Sequence, residues 1–154
     1  MNFHGAIFKE SNSTSLGGII RDDKGLVMAM FTQVIPLPTS IKMVEVLTTH
    51  RALYFARKLE FDQVIIKGDS KIIIMALNSE DFSCSSFGHI LNDIKQSAAN
   101  FRKSVFCHTC RQCNKVAHKL ARLACNFSPF CVWMGTIPPN IVDVYFFLKF
   151  LNNT

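Results

Sequence analysis

Apolar and polar positions alternate in short blocks through the first third of the chain. Asn2–Phe8, Ser15–Arg21 and Leu26–Val34 are rich in Ile, Val, Phe and Leu, and polar stretches separate them. The first separator is Lys9–Thr14; the second, Asp22-Asp23-Lys24-Gly25, has the composition of a tight turn. Three strands joined by two hairpins predict an antiparallel meander, ended by Pro36 and Pro38.

The period then changes. Thr39-Ser40 is suited to capping a helix from about Ile41 to Leu59, whose apolar stripe is Met43, Val46, Leu47 and Leu53. Val64–Lys67 is a short apolar run that predicts a parallel strand buried on both faces. Asp69-Ser70 opens a second helix through Leu77, with Ile72, Ile73, Met75 and Ala76 expected to pack inward. Asn78–Ser86 is a polar loop, Phe87–Ala99 a third helix, Lys103–Cys107 a fifth strand and Asn114–Asn126 a last helix. Val116, Leu120 and Leu123 supply its apolar face. The order predicts an α/β domain of three layers, a mixed five-stranded sheet with helices on both faces.

Composition narrows the class. Nearly half of the 154 residues (49%) are apolar and fourteen are Phe, enough to build a core and to exclude disorder over most of the length. A formal net charge of +6 favours a polyanionic partner such as nucleic acid. The start, Met1-Asn2-Phe3-His4, is not a basic segment followed by a long apolar run, and Ile141–Leu151 is short and broken by Asp143 and Lys149. The expectation is a soluble intracellular protein, in cytoplasm or nucleus, with no membrane partner and its six cysteines reduced.

Candidate chemistry gathers at Gly68-Asp69-Ser70, where an aspartate follows a buried strand. The carboxyl edge of such a sheet is where ligands bind, and a carboxylate there can hold a metal for phosphoryl chemistry. The structural alternative is an aspartate that caps the next helix.

With this order of elements, several segments resemble a ribonuclease H-type domain, in particular its plant reverse-transcriptase-like branch. They are Asn2-Phe3-His4-Gly5-Ala6, Gly17-Gly18-Ile19-Ile20-Arg21-Asp22, Val44-Glu45, Val64 through Ser70, and His108-Thr109-Cys110-Arg111-Gln112-Cys113-Asn114-Lys115-Val116-Ala117-His118. Trp133 and Pro138-Pro139 resemble the tail of that branch, so the likeness spans nearly the whole chain. It implies metal-dependent endonucleolytic cleavage of RNA in RNA–DNA hybrids, with two Mg2+ ions held by carboxylates.

Carried over by position, Glu45 and Asp69 are the metal carboxylates, His118 marks a fourth position, and His108 assists proton transfer or product release. The first-strand position that normally holds aspartate holds His4, and imidazole is a poor magnesium ligand. His4 therefore favours a second reading: a catalytically silent nucleic-acid-binding or protein-interaction module with the same fold. A third is a remnant of a transposable-element polyprotein.

Arg111, Lys115, Lys119 and Arg122 form a basic stripe placed to meet phosphates, unless it is only a solvated helix face. Cys110, Cys113 and His118 have the opening spacing of a zinc knuckle, but the position of its closing cysteine is Leu123. The expected division is a ribonuclease H-type domain over 1–135 and a Phe-rich tail over 136–154. Phe146, Phe147 and Phe150 of that tail would pack on the domain or on a protein partner.

Overall fold

A computed structural model describes residues 1–80 and 86–146 of the chain. The elements run β1 (Asn2–Phe8), β2 (Ser13–Arg21), β3 (Val27–Pro36), α1 (Ile41–Lys58), β4 (Gln63–Gly68), α2 (Lys71–Asn78), α3 (Gly88–Ala98), β5 (Lys103–His108), α4 (Lys115–Leu123) and β6 (Phe130–Met134). A 3₁₀ turn (Ala124–Asn126) follows α4, a second one spans Pro139–Ile141, and residues 142–146 are helical. The three-layer α/β architecture is as the sequence predicts.

The sheet has six strands in the order β5-β4-β1-β2-β3-β6, one more than expected. β1, β2, β3 and β6 pair antiparallel, while β4 and β5 add parallel strands beside β1. The extra strand, β6, is uniformly apolar (Phe-Cys-Val-Trp-Met) and so lacks the polar alternation that marks a half-buried strand. What makes it a strand is the free edge of β3, with Ala29 opposite Met134 and Gln33 opposite Phe130.

Each face of the sheet carries its own core. Phe3, Leu16, Ile20 and Phe31 point to the face covered by α1, α2 and α3, where they meet Val46, Leu53, Ile73, Leu91 and Ile94. Ile19 and Met30 point the other way, toward Val116, Ala117 and Leu120 of α4. Adjacent residues on opposite faces, such as Ile19 and Ile20, follow from the two-residue period of a strand.

Two expectations fail for one reason: partial coverage. β4 is not buried on both faces; its burial alternates, and Ile65 is 50% exposed. α4 lies over β1, β2 and β3 and leaves that side of β4 and β5 open. On α2, the residues that pack inward are Ile73, Ile74 and Leu77, whereas Ile72 and Met75 face solvent. Most of the predicted polar loop, residues 81–85, and two of the tail phenylalanines, Phe147 and Phe150, lie outside the described residues.

Candidate active site

Two strands and two helices converge at the end of β4. His4 lies on β1, Asp69 directly follows β4, and the two strands are hydrogen-bonded neighbours. Glu45 comes from the second turn of α1, and α1 reaches β1 at Gly5. A Cβ on Gly5 would lie 2.5 Å from Val44 Cγ1 and 2.9 Å from Thr48 Oγ1, so only glycine admits the helix this closely. That contact brings Glu45 beside His4, the residue before Gly5.

The opposite face repeats the device. Gly17 pairs with His4 across β1 and β2, and a Cβ on Gly17 would lie 2.5 Å from the Ala121 backbone nitrogen. The missing side chain lets α4 rest its backbone on the sheet, and Ser15 Oγ donates a hydrogen bond to the Ala121 carbonyl. His118 of α4 then places its ring centroid 4.6 Å from that of His4, tilted by 46°.

His4, Glu45 and Asp69 each offer a ligand atom, and all three atoms lie within 4.8 Å of one another. No other such group of His, Cys, Asp and Glu occurs among the described residues. His4 Nδ1 lies 3.3 Å from Asp69 Oδ1, where its N–H donates to the carboxylate, and both side chains are 13% exposed. The capping alternative for Asp69 fails: Ser70 occupies the N-cap position of α2, and Asp69 turns its carboxylate to His4.

Burial acts on Glu45, Asp69 and His118. It pushes the Glu45 carboxyl up to about 7, with nearby Asp69 adding to the effect and His4 opposing it. Glu45 Oε2 is buried with no hydrogen-bond partner. Burial would also raise Asp69, but the hydrogen bond and charge of His4, helped by Arg111, hold it below its ordinary value. His118 is pushed down by burial and by the positive charges of His4, Arg111 and Arg122.

The remaining sequence-predicted residues lie on β5, α4 and the turn between them. His108 ends β5 opposite Gly68, one residue before Asp69, and is exposed. Arg111 is near enough for its charge to act on both Asp69 and His118, and Arg122 acts on His118. Lys115 and Lys119 lie on the same helix, Lys115 exposed and Lys119 half-buried. Cys110 and Cys113 pair with each other and join no metal-ligand group with His118, so the zinc-knuckle spacing forms no site among the described residues.

Asn114 has a part that the sequence reading did not assign. It is 1% exposed, donates from Nδ2 to the Phe3 carbonyl at 2.8 Å and accepts from Asn2 at 3.2 Å. Its own carbonyl accepts the His118 N–H at 3.0 Å, so it ties the start of α4 to β1 beside His4. Its place just before an apolar helix was the available signal, but capping alone would explain that place.

An unpartnered buried oxygen beside a second carboxylate and an imidazole is a set of donors that could hold a cation. The donor set nevertheless does not fit a pair of magnesium ions. Magnesium requires near-octahedral oxygen, and here a nitrogen stands among the donors and takes up one oxygen of Asp69. Two carboxylates with imidazole suit a single borderline transition-metal ion better.

Comparison with solved structures places the same fold in ribonucleases H. RNase H1 from the halophilic archaeon Halobacterium salinarum NRC-1 matches with a TM-score of 0.72 at 21% identity, covering 80% of this chain and 94% of that one. The N-terminal RNase H domain of a Mycobacterium tuberculosis protein, solved as a fusion with maltose-binding protein, matches at 0.70 and 18%, covering 81% and 91%. LC11-RNase H1 in complex with an RNA/DNA hybrid matches at 0.68 and 19%, covering 80% and 94%. A sequence comparison with curated proteins finds no match. A family model described as reverse transcriptase-like matches residues 2–124, from the first strand to the end of the last site helix. With that span, the chain belongs to the reverse transcriptase-like family, and it has the fold of these ribonucleases H.

Proposed function

We propose that this chain binds RNA–DNA hybrid and keeps, at His4, Glu45, Asp69 and His118, a hydrolytic site of ribonuclease H type that magnesium serves poorly. The observation that carries this reading is the convergence of His4, Glu45 and Asp69 within 4.8 Å at the sheet edge. Arg111, Lys115, Lys119 and Arg122 offer phosphate contacts on one flank, and a solved neighbour of the same fold holds an RNA/DNA hybrid. Recognition rests on backbone shape and the 2′-OH, so binding is insensitive to base sequence.

His4 is what separates this chain from a fully active hydrolase. Its N–H takes up an oxygen of Asp69 that could otherwise help hold a cation, and Glu45 ionises only near neutrality. Losing one ligand charge from a site that stabilises a phosphoryl transition state costs on the order of 10²–10³ in rate. A silent binding module is the second reading, favoured by that same His4–Asp69 hydrogen bond.

Cleavage of a labelled RNA–DNA hybrid, with magnesium and with manganese, tests both. The expected result is slow cleavage by the natural chain, better with manganese, lost in Asp69→Asn and raised at least about tenfold with magnesium in His4→Asp. Cleavage by His4→Asp alone would support the silent module. If neither chain cleaves or binds hybrid, the assignment is wrong.

A further inference from the structure

Cys110 and Cys113 are separate from the carboxylate cluster and from any use made of it above. Their sulfur atoms lie 3.0 Å apart, within hydrogen-bond reach of each other, and both residues are exposed. The chain between them is a closed turn: the Cys113 N–H donates to the Cys110 carbonyl at 3.0 Å, and Asn114 N–H to Arg111 at 3.2 Å. A four-residue turn with that hydrogen bond holds its end Cα atoms under about 7 Å apart, inside the range a disulfide bridges.

Both ends of the turn are fixed. Upstream, Thr109 N–H donates to the Gly68 carbonyl at 2.9 Å, and downstream Asn114 is buried against β1. The two thiols therefore meet without a conformational search, and only a side-chain rotation separates them from bonding distance. They are also unequal. A hydrogen bond donated by the Cys113 thiol to the Cys110 thiolate, together with backbone donors, lowers Cys110 below its ordinary value, while the same bond raises Cys113. One attacking and one resolving thiol is the arrangement that exchange with an external disulfide requires.

We propose that Cys110 and Cys113 form a thiol–disulfide exchange site that reacts with low-molecular-weight disulfides of the glutathione class. The Cys110 thiolate, having given up its proton to water, attacks one sulfur of the external disulfide. This forms a mixed disulfide and expels one thiolate, which takes up a proton. Cys113 then loses its proton and attacks the Cys110 sulfur, closing the Cys110–Cys113 bond and expelling the second thiolate. The protein dithiol is oxidised by two electrons and the external disulfide is reduced to two thiols. Cys125, exposed and with no thiol partner among the described residues, is an internal control on the same chain.

The full chain, reduced and then equilibrated in glutathione buffers of increasing disulfide content, is quenched, alkylated with a maleimide and mapped by peptide mass. The peptide carrying Cys110 and Cys113 should lose both maleimides together and about 2 Da, the mass of two hydrogens. That step should occur at a disulfide content where Cys125 is still fully alkylated. Cys110 should react about tenfold faster than Cys125 at pH 7. Cys113→Ser should halt at a stable glutathione adduct on Cys110, and Cys110→Ser should leave Cys113 no faster than Cys125. Independent glutathione adducts on both residues would overturn the proposal. So would a bond from Cys110 to a different cysteine, or a dithiol still alkylated once Cys125 has reacted.

Discussion

Glu45 carries a buried oxygen without a partner, and this makes the metal-free fold sensitive to pH in an unusual direction. In the unfolded chain the carboxyl ionises near 4.5; in the folded chain it ionises near 7. Between those values the native state binds more protons than the unfolded state, so Glu45 weakens stability as pH rises from about 4.5 to about 7. Below that window its contribution is neutral, and above it the penalty is constant, on the order of 3 kcal/mol for a shift of this size. Glu45→Gln removes the titration. Denaturant unfolding of the metal-free protein should show the variant gaining on the natural chain by about 2–3 kcal/mol between pH 4.5 and pH 8. A difference that stays flat with pH would show that the carboxyl is not desolvated. A bound divalent cation should cancel the effect, because it holds Glu45 ionised and releases the proton. Asp69 and Glu45 were legible as a pair because each falls on a motif position along the chain. The His4–Asp69 hydrogen bond was not, since 65 residues separate its partners and only the pairing of β1 with β4 brings them together.

Among elements, α4 is the one whose placement the site depends on most, and small local features fix it. Gly17 lets its backbone touch β2, Ser15 holds the Ala121 carbonyl, and Asn114 anchors its first turn to β1. Gly17→Ala puts a methyl 2.5 Å from a backbone nitrogen and 2.9 Å from the Ala117 carbonyl oxygen, atoms that cannot rotate away. The helix must lift, at a cost of roughly 1–3 kcal/mol, carrying His118 away from His4. Thermal unfolding should show the loss, and His118 should titrate closer to its ordinary value when followed by NMR, because the burial that lowers it is relieved. A stable variant with His118 unchanged would mean that α4 is not held through Gly17. The period of apolar residues made α4 visible in the sequence, but its contact with Gly17 is made by a missing side chain. The edge strand β6 escaped for a related reason. Its five residues are apolar without alternation, and only the open edge of β3 selects the strand over a piece of tail.

At the scale of the molecule, the two faces of the sheet are finished from different parts of the chain. The first face is completed by α1, α2 and α3, all within the span that the reverse transcriptase-like model covers. The second is completed by α4 together with Ile141 and Tyr145, which lie beyond that span. Ile141 is fully buried, Tyr145 is 5% exposed, and the Tyr145 hydroxyl donates to the Gly25 carbonyl at 3.2 Å. Composition suggested a Phe-rich tail after residue 135, since its aromatic content is conspicuous and its contacts are not. Fold class and the first five strands were legible because they follow from local periods, whereas closure of the second face depends on a segment whose apolar residues are too sparse to show a period. If residues 137–145 are integral, Ile141→Ala should destabilise the whole domain by about 2–5 kcal/mol, the cost of emptying a fully packed site. Unfolding followed by circular dichroism and by the fluorescence of Trp133, which packs on the same cluster, should then shift together as one transition. A tail that folds separately would behave differently: Ile141→Ala would move the Trp133 signal alone and leave the helix and sheet signal at its original midpoint. Coincident shifts would make residues 137–145 part of the structure that holds α4, and through it His118, against the site.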